Sequence, residues 1–82
     1  NFQPPITGDI IMQCYDLRPC AAIGEIKEVI KNAILDGEIR NDFREAYALM
    51  ERLAAERGLV KVCDVEEPQP VELQPDEVAT EE

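Results

Sequence analysis

Apolar residues recur at three- and four-residue intervals in three separate segments of this chain, and this periodicity restricts the fold more than any other feature. Residues at that spacing share one side of an α-helix and can be buried together. Pro19, Gly37 and Gly58 stand after the three segments, where such residues end helices. No part of the first 60 residues alternates with the two-residue period of a strand. We therefore predict a small all-α domain of three helices.

Each predicted helix has a recognisable start. Thr7 is the expected N-cap of the first helix, the second runs from about Ala22 to Asp36, and the third opens at Asp42. Asp42 and Glu45 have the spacing of a capping box. The predicted apolar stripes consist of Ile10, Cys14 and Leu17, then Ile23, Ile26, Ile30, Ala33 and Ile34, then Phe43, Ala46, Tyr47, Met50, Leu53 and Ala54.

Composition excludes several classes of function. The 82 residues include 18 acidic and 8 basic side chains and no histidine, for a net charge of −10. That balance argues against a protein that coats nucleic acid in general, and the missing imidazole argues against a self-sufficient enzyme. The longest apolar run, Ile10 to Met12, is far too short to span a bilayer, and no signal peptide is evident. A chain that begins at Asn1 without methionine is typical of a piece of a longer protein.

Three cysteines without a Cys-x-x-Cys pair favour reduced thiols in a cytoplasmic protein over a disulfide framework or a zinc site. Cys14 lies on the first stripe and is expected in the core. Cys20 precedes the second helix, and a small packed cysteine is the expected interpretation there. The turn at Asp36, Gly37 and Glu38 offers only two carboxylates, so we interpret it as a polar helix-ending turn and predict no metal.

Charge divides the chain into two parts. Residues 1–60 have a net charge of −3 and are predicted to form the helical domain, whereas residues 61–82 have a net charge of −7. The second part contains Pro68, Pro70 and Pro75 and no aromatic residue. It has too few apolar side chains to offset its ordering entropy, so we predict an acidic tail that is disordered beyond about residue 64.

Arg18, Lys27 and Lys31 are the candidate nucleic-acid contacts. Lys27 and Lys31 are one helical turn apart, opposite the apolar stripe, and Arg18 precedes the same helix, whose N-terminal amides favour phosphate. Glu25 and Glu28 are close enough to neutralise part of this charge, and a solvated mixed-charge face is the ordinary alternative. Secondary candidates are Arg40, Arg44 and Arg57. We predict no catalytic residue.

Several short motifs resemble the C-terminal end of bacterial tRNA nucleotidyltransferases, the CCA-adding enzymes and their poly(A) polymerase relatives, including forms with an HD domain. These motifs are Pro5-Ile6-Thr7-Gly8-Asp9-Ile10-Ile11-Met12, Leu17-Arg18-Pro19, Ile23-Gly24-Glu25-Ile26-Lys27 and Ala33-Ile34-Leu35-Asp36-Gly37-Glu38-Ile39. The resemblance covers residues 4–59. It implies a helical tail that follows the catalytic and central domains and helps to grip tRNA towards its elbow.

The same resemblance implies that magnesium, CTP and ATP act in a head domain whose motifs are absent from this sequence. Two positions depart from the family pattern, since Asp16 and Cys20 stand where the family commonly has glycine. Expected partners are tRNA and the preceding helical domain. The alternative function is a non-catalytic interaction or dimerisation module without RNA contact, which includes a homodimer.

Overall fold

The computed structural model describes residues 3–68, and within them the predicted all-α fold is found. The three helices are α1 (Gly8–Tyr15), α2 (Ala21–Leu35) and α3 (Phe43–Glu56). Helix α2 lies centrally and packs against both α1 and α3. None of these helices is both long and apolar enough to cross a membrane.

One continuous apolar core joins the three helices. All the predicted stripe residues of α2 and α3 contribute to this core, with Ile34 and Tyr47 half-buried at its edge. The predicted stripes omitted Ile11, Tyr15 and Leu49, which are also buried. Ile6, which precedes the N-cap of α1, is only 1% exposed and lies in the same cluster, as an apolar residue at that position of a helix entry commonly does.

The helix starts follow the predicted caps. The Thr7 hydroxyl accepts a hydrogen bond from the Ile10 amide at 3.3 Å, and the Asp42 carboxylate accepts one from the Glu45 amide at 3.1 Å. The second half of the capping box is different, because Glu45 accepts from the Arg40 amide at 2.7 Å rather than from Asp42. Glu45 therefore holds the connection between α2 and α3 against the start of α3.

The helix ends use left-handed residues. Gly37 (φ 81°) and Gly58 (φ 77°) follow α2 and α3. In each case the amide of the glycine and the amide of the next residue donate hydrogen bonds to carbonyls of the last helical turn. After α2, for example, Gly37 donates to Ile34 and Glu38 donates to Ala33. This is the Schellman arrangement expected at such a glycine. The Asp36-Gly37-Glu38 turn accordingly ends a helix, as predicted.

The first residues after α3 pack against the helices. Residues 59–65, which we call the strap, run back over α1 and α3, with Leu59 and Val65 packed against the core. The Val62 amide donates to the Cys14 carbonyl at 2.7 Å, so the strap satisfies a carbonyl at the end of α1. The folded part thus extends beyond the predicted boundary at residue 60. The disorder predicted for residues 69–82 lies outside the described residues.

Candidate nucleic-acid interface

Lys27 and Lys31 line one groove on the outer face of α2. The groove has a volume of about 350 Å³ and its walls are formed by Pro4, Gly24, Lys27, Glu28 and Lys31. The four α2 residues are spaced at i, i+3, i+4 and i+7, which places them on one face of the helix. The missing side chain at Gly24 leaves room beside the N-terminal segment at Pro4. We call this feature the lysine groove.

The start of α1 lies directly against one of these lysines. A Cβ built on Gly8 would be 3.4 Å from Cγ2 of Ile23 and 3.8 Å from Cδ of Lys27, which are ordinary contact distances. The methylene stem of Lys27 therefore lies beside the first turn of α1, whose amide groups form the positive end of the helix dipole. The Asp9 carboxylate in this turn and the Thr7 cap on the Ile10 amide offset part of that positive end, so the Lys27 ammonium is the main positive charge that an anion would meet here.

The acidic neighbours of the groove neutralise only part of its charge. Glu28 lies 3.5 Å from the Lys31 ammonium group, and both side chains are well exposed, so this pair contributes little stability. Within residues 3–68 no carboxylate lies within ion-pair distance of Lys27. Lys31 can therefore give up its contact with Glu28 and bind an external phosphate at little cost in free energy.

Arg18 does not line this groove. It is exposed in the connection between α1 and α2, near the start of α2 at Ala21. The N-cap of α2 is Cys20, whose side chain makes no capping hydrogen bond. Lys27 follows Ala21 by about 9 Å along the helix. The candidate contacts thus lie in two places, with Arg18 in the connection before α2 and Lys27 and Lys31 on α2 itself.

Cys20 is exposed, so the prediction of a packed cysteine is wrong. The residue is the N-cap of α2, and its neighbours Pro19 and Ala21 are exposed as well, so this part of the chain does not contribute to the core. Cys14 is fully buried, as its position on the α1 stripe predicted.

The secondary candidates are distributed elsewhere. Arg57 lies 3.3 Å from Glu25 and also donates to the Leu53 carbonyl at 3.2 Å, so it joins the end of α3 to α2. Arg40 lies 3.7 Å from Glu45 in the connection before α3. Arg44 is exposed near the start of α3. None of these arginines lines the lysine groove.

Sequence reasoning missed the polar network that holds the strap. The Tyr47 hydroxyl donates to Asp64 at 2.9 Å, accepts from the Val65 amide at 3.1 Å and lies 3.4 Å from the Cys14 sulfur. Lys61 pairs with Asp64 and Glu51. The tail was assigned from composition, and no local pattern marks residues 59–65 as packed.

Hydrogen bonds and burial shift the pKa values of residues in and beside this network. Hydrogen bonds to Asp64 and Glu51 raise the pKa of Lys61 above its ordinary value, and the Lys61 ammonium lowers the pKa of Asp64. Burial, followed by the hydrogen bond to Cys14, raises the pKa of Tyr47. Burial also raises the pKa of Tyr15, with a contribution from the charge of Glu51.

A second groove of about 520 Å³ lies between the end of α2 and the outer face of α3. Its walls carry Glu38, Glu45 and Arg52 beside apolar residues. Within residues 3–68 no three histidine, cysteine or acidic side chains come together as metal ligands would.

Comparison of the chain with known protein families, curated proteins and solved structures finds no match.

Proposed function

We propose that this chain is the C-terminal helical domain of a tRNA nucleotidyltransferase of the CCA-adding and poly(A) polymerase family. In this role it supports the binding and positioning of tRNA, while a head domain outside this sequence carries nucleotide transfer. The observation that supports the proposal is the contact between two of the resembling motifs. Gly8 of the first motif lies against Ile23 and Lys27 of the third, although 15 residues or more separate them in sequence.

Such a meeting is expected if the motifs encode one local structure. Thr7 caps α1, Gly8 lies where the first turn of α1 contacts α2, and Gly37 ends α2 at a positive φ. Each of these residues belongs to a resembling motif and acts at a helix end or a helix contact. The motifs can therefore be explained by the helix ends and the helix contact that they form in a small helical domain.

The chemistry of the lysine groove supports phosphate contact rather than base recognition. Lys27 and Lys31 present ammonium groups to solvent, and such groups bind phosphate without reading sequence. Base recognition in single-stranded RNA commonly uses exposed aromatic rings. Of the aromatic residues within 3–68, Tyr15 and Phe43 are buried, and the hydroxyl of Tyr47 is occupied by the strap. The domain would therefore recognise tRNA through shape and backbone charge.

The proposal is tested by titrating labelled tRNA with the full chain at about 50 and 200 mM salt. Each phosphate contact contributes a salt slope of about 0.7–0.9, so two contacts account for a loss of about seven- to twelvefold over this range. Lys27→Glu combined with Lys31→Glu should weaken binding and remove that share of the salt dependence.

A matched control is Arg44→Glu combined with Arg52→Glu, because it makes the same change in net charge on α3. Equal weakening by both pairs would show that net charge alone matters and would contradict a localised contact. Absence of binding by the unaltered chain at the lower salt concentration would contradict the RNA role.

The alternative, a protein-interaction or dimerisation module, is favoured by one observation. Val60 and Val62 are 76% and 61% exposed and lie two residues apart in the strap. Exposed apolar side chains that are close together form the kind of surface that a protein partner covers. Sedimentation over a range of concentrations distinguishes the two functions. A concentration-dependent dimer without tRNA affinity would replace the RNA proposal.

A further inference from the structure

The C-terminal segment after the strap, residues 66–82, is strongly acidic. It contains seven acidic side chains and neither lysine nor arginine. Apolar residues Val71, Leu73 and Val78 stand among the acids. This combination of carboxylates and apolar side chains complements a surface that offers ammonium groups beside an apolar floor.

The strap fixes where this acidic segment leaves the domain. The amides of Val62 and Cys63 donate to the Cys14 carbonyl near the end of α1, and the Val65 amide donates to Tyr47 on α3. The acidic segment therefore starts beside the C-terminal end of α1. The lysine groove adjoins the other end of the same short helix, where Gly8 lies against Lys27.

The acidic segment is long enough to span the distance from the strap to the lysine groove. From Cys14 to Gly8 is about 9 Å along α1, and crossing one helix adds about 10 Å. Glu72 follows Val65 by seven residues, a length that spans up to about 23–25 Å when extended. Acidic residues from Glu72 onward can therefore reach the groove without any change in the helices.

The lysine groove is the surface whose charge best fits this segment. Lys61 is already held by Glu51 and Asp64, and Arg57 by Glu25, while the exposed Arg18 and Arg44 line neither of the two grooves described above. Lys31 has only the weak, exposed contact with Glu28, and within residues 3–68 Lys27 has no ion-pair partner. Their groove also contains the apolar ring of Pro4 and the open position at Gly24.

We propose that the acidic C-terminal segment docks on the lysine groove of its own chain and competes there with phosphate groups. The competition with tRNA rests on the proposed function, whereas the docking itself does not. In this arrangement the segment lowers the affinity of the groove for weakly bound polyanions and leaves it open to tRNA held elsewhere by a larger enzyme.

The docking is tested by zero-length carbodiimide cross-linking of the full chain without RNA. The chain has three lysines, Lys27, Lys31 and Lys61. Amide links from Lys61 to Glu51 or Asp64 serve as the internal positive control, because those groups touch in the folded domain. We expect additional links from Lys27 or Lys31 to acids of residues 69–82 in the monomer, and their loss at about 1 M salt, where charges are screened within about 3 Å.

Two outcomes would overturn the docking. One is a set of cross-links confined to Lys61. The other is a set that joins Lys27 or Lys31 only to the acidic segment of a second molecule, which mixing isotope-labelled and unlabelled chains reveals.

The competition is tested by tRNA titration of a neutralised segment, Glu72→Gln with Asp76→Asn and Glu77→Gln. A tether of this length gives an effective concentration in the millimolar range, so a segment that binds with millimolar affinity lowers tRNA affinity about two- to tenfold. The neutralised variant should therefore bind tRNA about two- to tenfold more tightly than the unaltered chain. Its control, Asp36→Asn with Glu38→Gln and Glu56→Gln, makes the same change in net charge and should gain less.

The failure of each proposal has its own signature. Cross-links at Lys27 and Lys31 without tRNA binding by any variant would support docking and refute the RNA role. Binding of tRNA without those cross-links would refute docking and leave the RNA role in place. Equal gains by the neutralised segment and its control would refute the competition.

Discussion

Asp16 ends α1 in a conformation that suits glycine better than aspartate. Its φ and ψ are both 53°, and it is the non-glycine residue with positive φ in the described chain. The helix needs this left-handed conformation at its end, because the amides of Asp16 and Leu17 both donate a hydrogen bond to the Met12 carbonyl. Glycine takes this left-handed conformation without steric cost, which is the physical reason that it suits this position better than aspartate.

The expected effect of Asp16→Gly follows from three contributions. A left-handed conformation costs an L-residue roughly 1–2 kcal/mol, and local hydrogen bonding by aspartate recovers part of this. Glycine removes that cost but loses about 0.5–1 kcal/mol through its greater freedom in the unfolded chain. Removing a negative charge from a helix C-terminus adds about 0.3–1 kcal/mol. We therefore expect Asp16→Gly to raise the free energy of unfolding by about 1 kcal/mol.

Urea unfolding followed by circular dichroism of the full chain measures this change, and thermal unfolding should show a Tm increase of about 4–8 °C. Asp16→Asn tests the charge alone, because asparagine also tolerates the left-handed region. Asp16→Ala removes the charge but keeps the conformational cost, so its stability should fall below that of Asp16→Asn. A glycine variant no more stable than the alanine variant would refute the reasoning.

Two further predictions concern the network that holds the strap. Tyr47→Phe removes the hydroxyl that contacts Asp64 and Val65, so the free energy of unfolding should fall by about 0.5–1.5 kcal/mol and amide exchange at Val65 should accelerate, whereas Tyr15→Phe should change exchange there little. Ultraviolet titration should show both tyrosines less than half ionised at pH 10, the ordinary pKa of tyrosine, and half-ionised there in urea, because the folded state raises both pKa values. A raised pKa contributes stability that is present below the unfolded value and is lost at higher pH, so stability should decline above about pH 10. Normal tyrosine ionisation in the native chain, or unchanged exchange in Tyr47→Phe, would contradict the role of the network.

Much of the fold was predictable because its determinants are local. Thr7 and Asp42 cap the amides three residues ahead, and Gly37 ends α2 through contacts with the preceding turn. Each of these interactions depends on a few consecutive residues, so their spacing in the sequence is sufficient to locate them. The same holds for the grouping of Lys27 with Lys31, which helix periodicity fixes.

The candidate site was only partly predictable because it depends on contacts between distant residues. The sequence identified Lys27 and Lys31 but could not show that the start of α1 and Pro4 complete a groove around them. It also grouped Arg18 with the lysines, although that residue lies in a separate connection.

The sequence by itself determined the three helices, their caps and the charge imbalance between the two parts of the chain. Only the tertiary structure decided that residues 59–65 are packed, because Tyr47 and Cys14 bind that segment across 18 residues or more of sequence. Helical periodicity and capping act over one or two turns, where sequence spacing equals spatial proximity. The strap and the groove depend on where separate elements meet, and that is set by the burial of side chains from all three helices in one core.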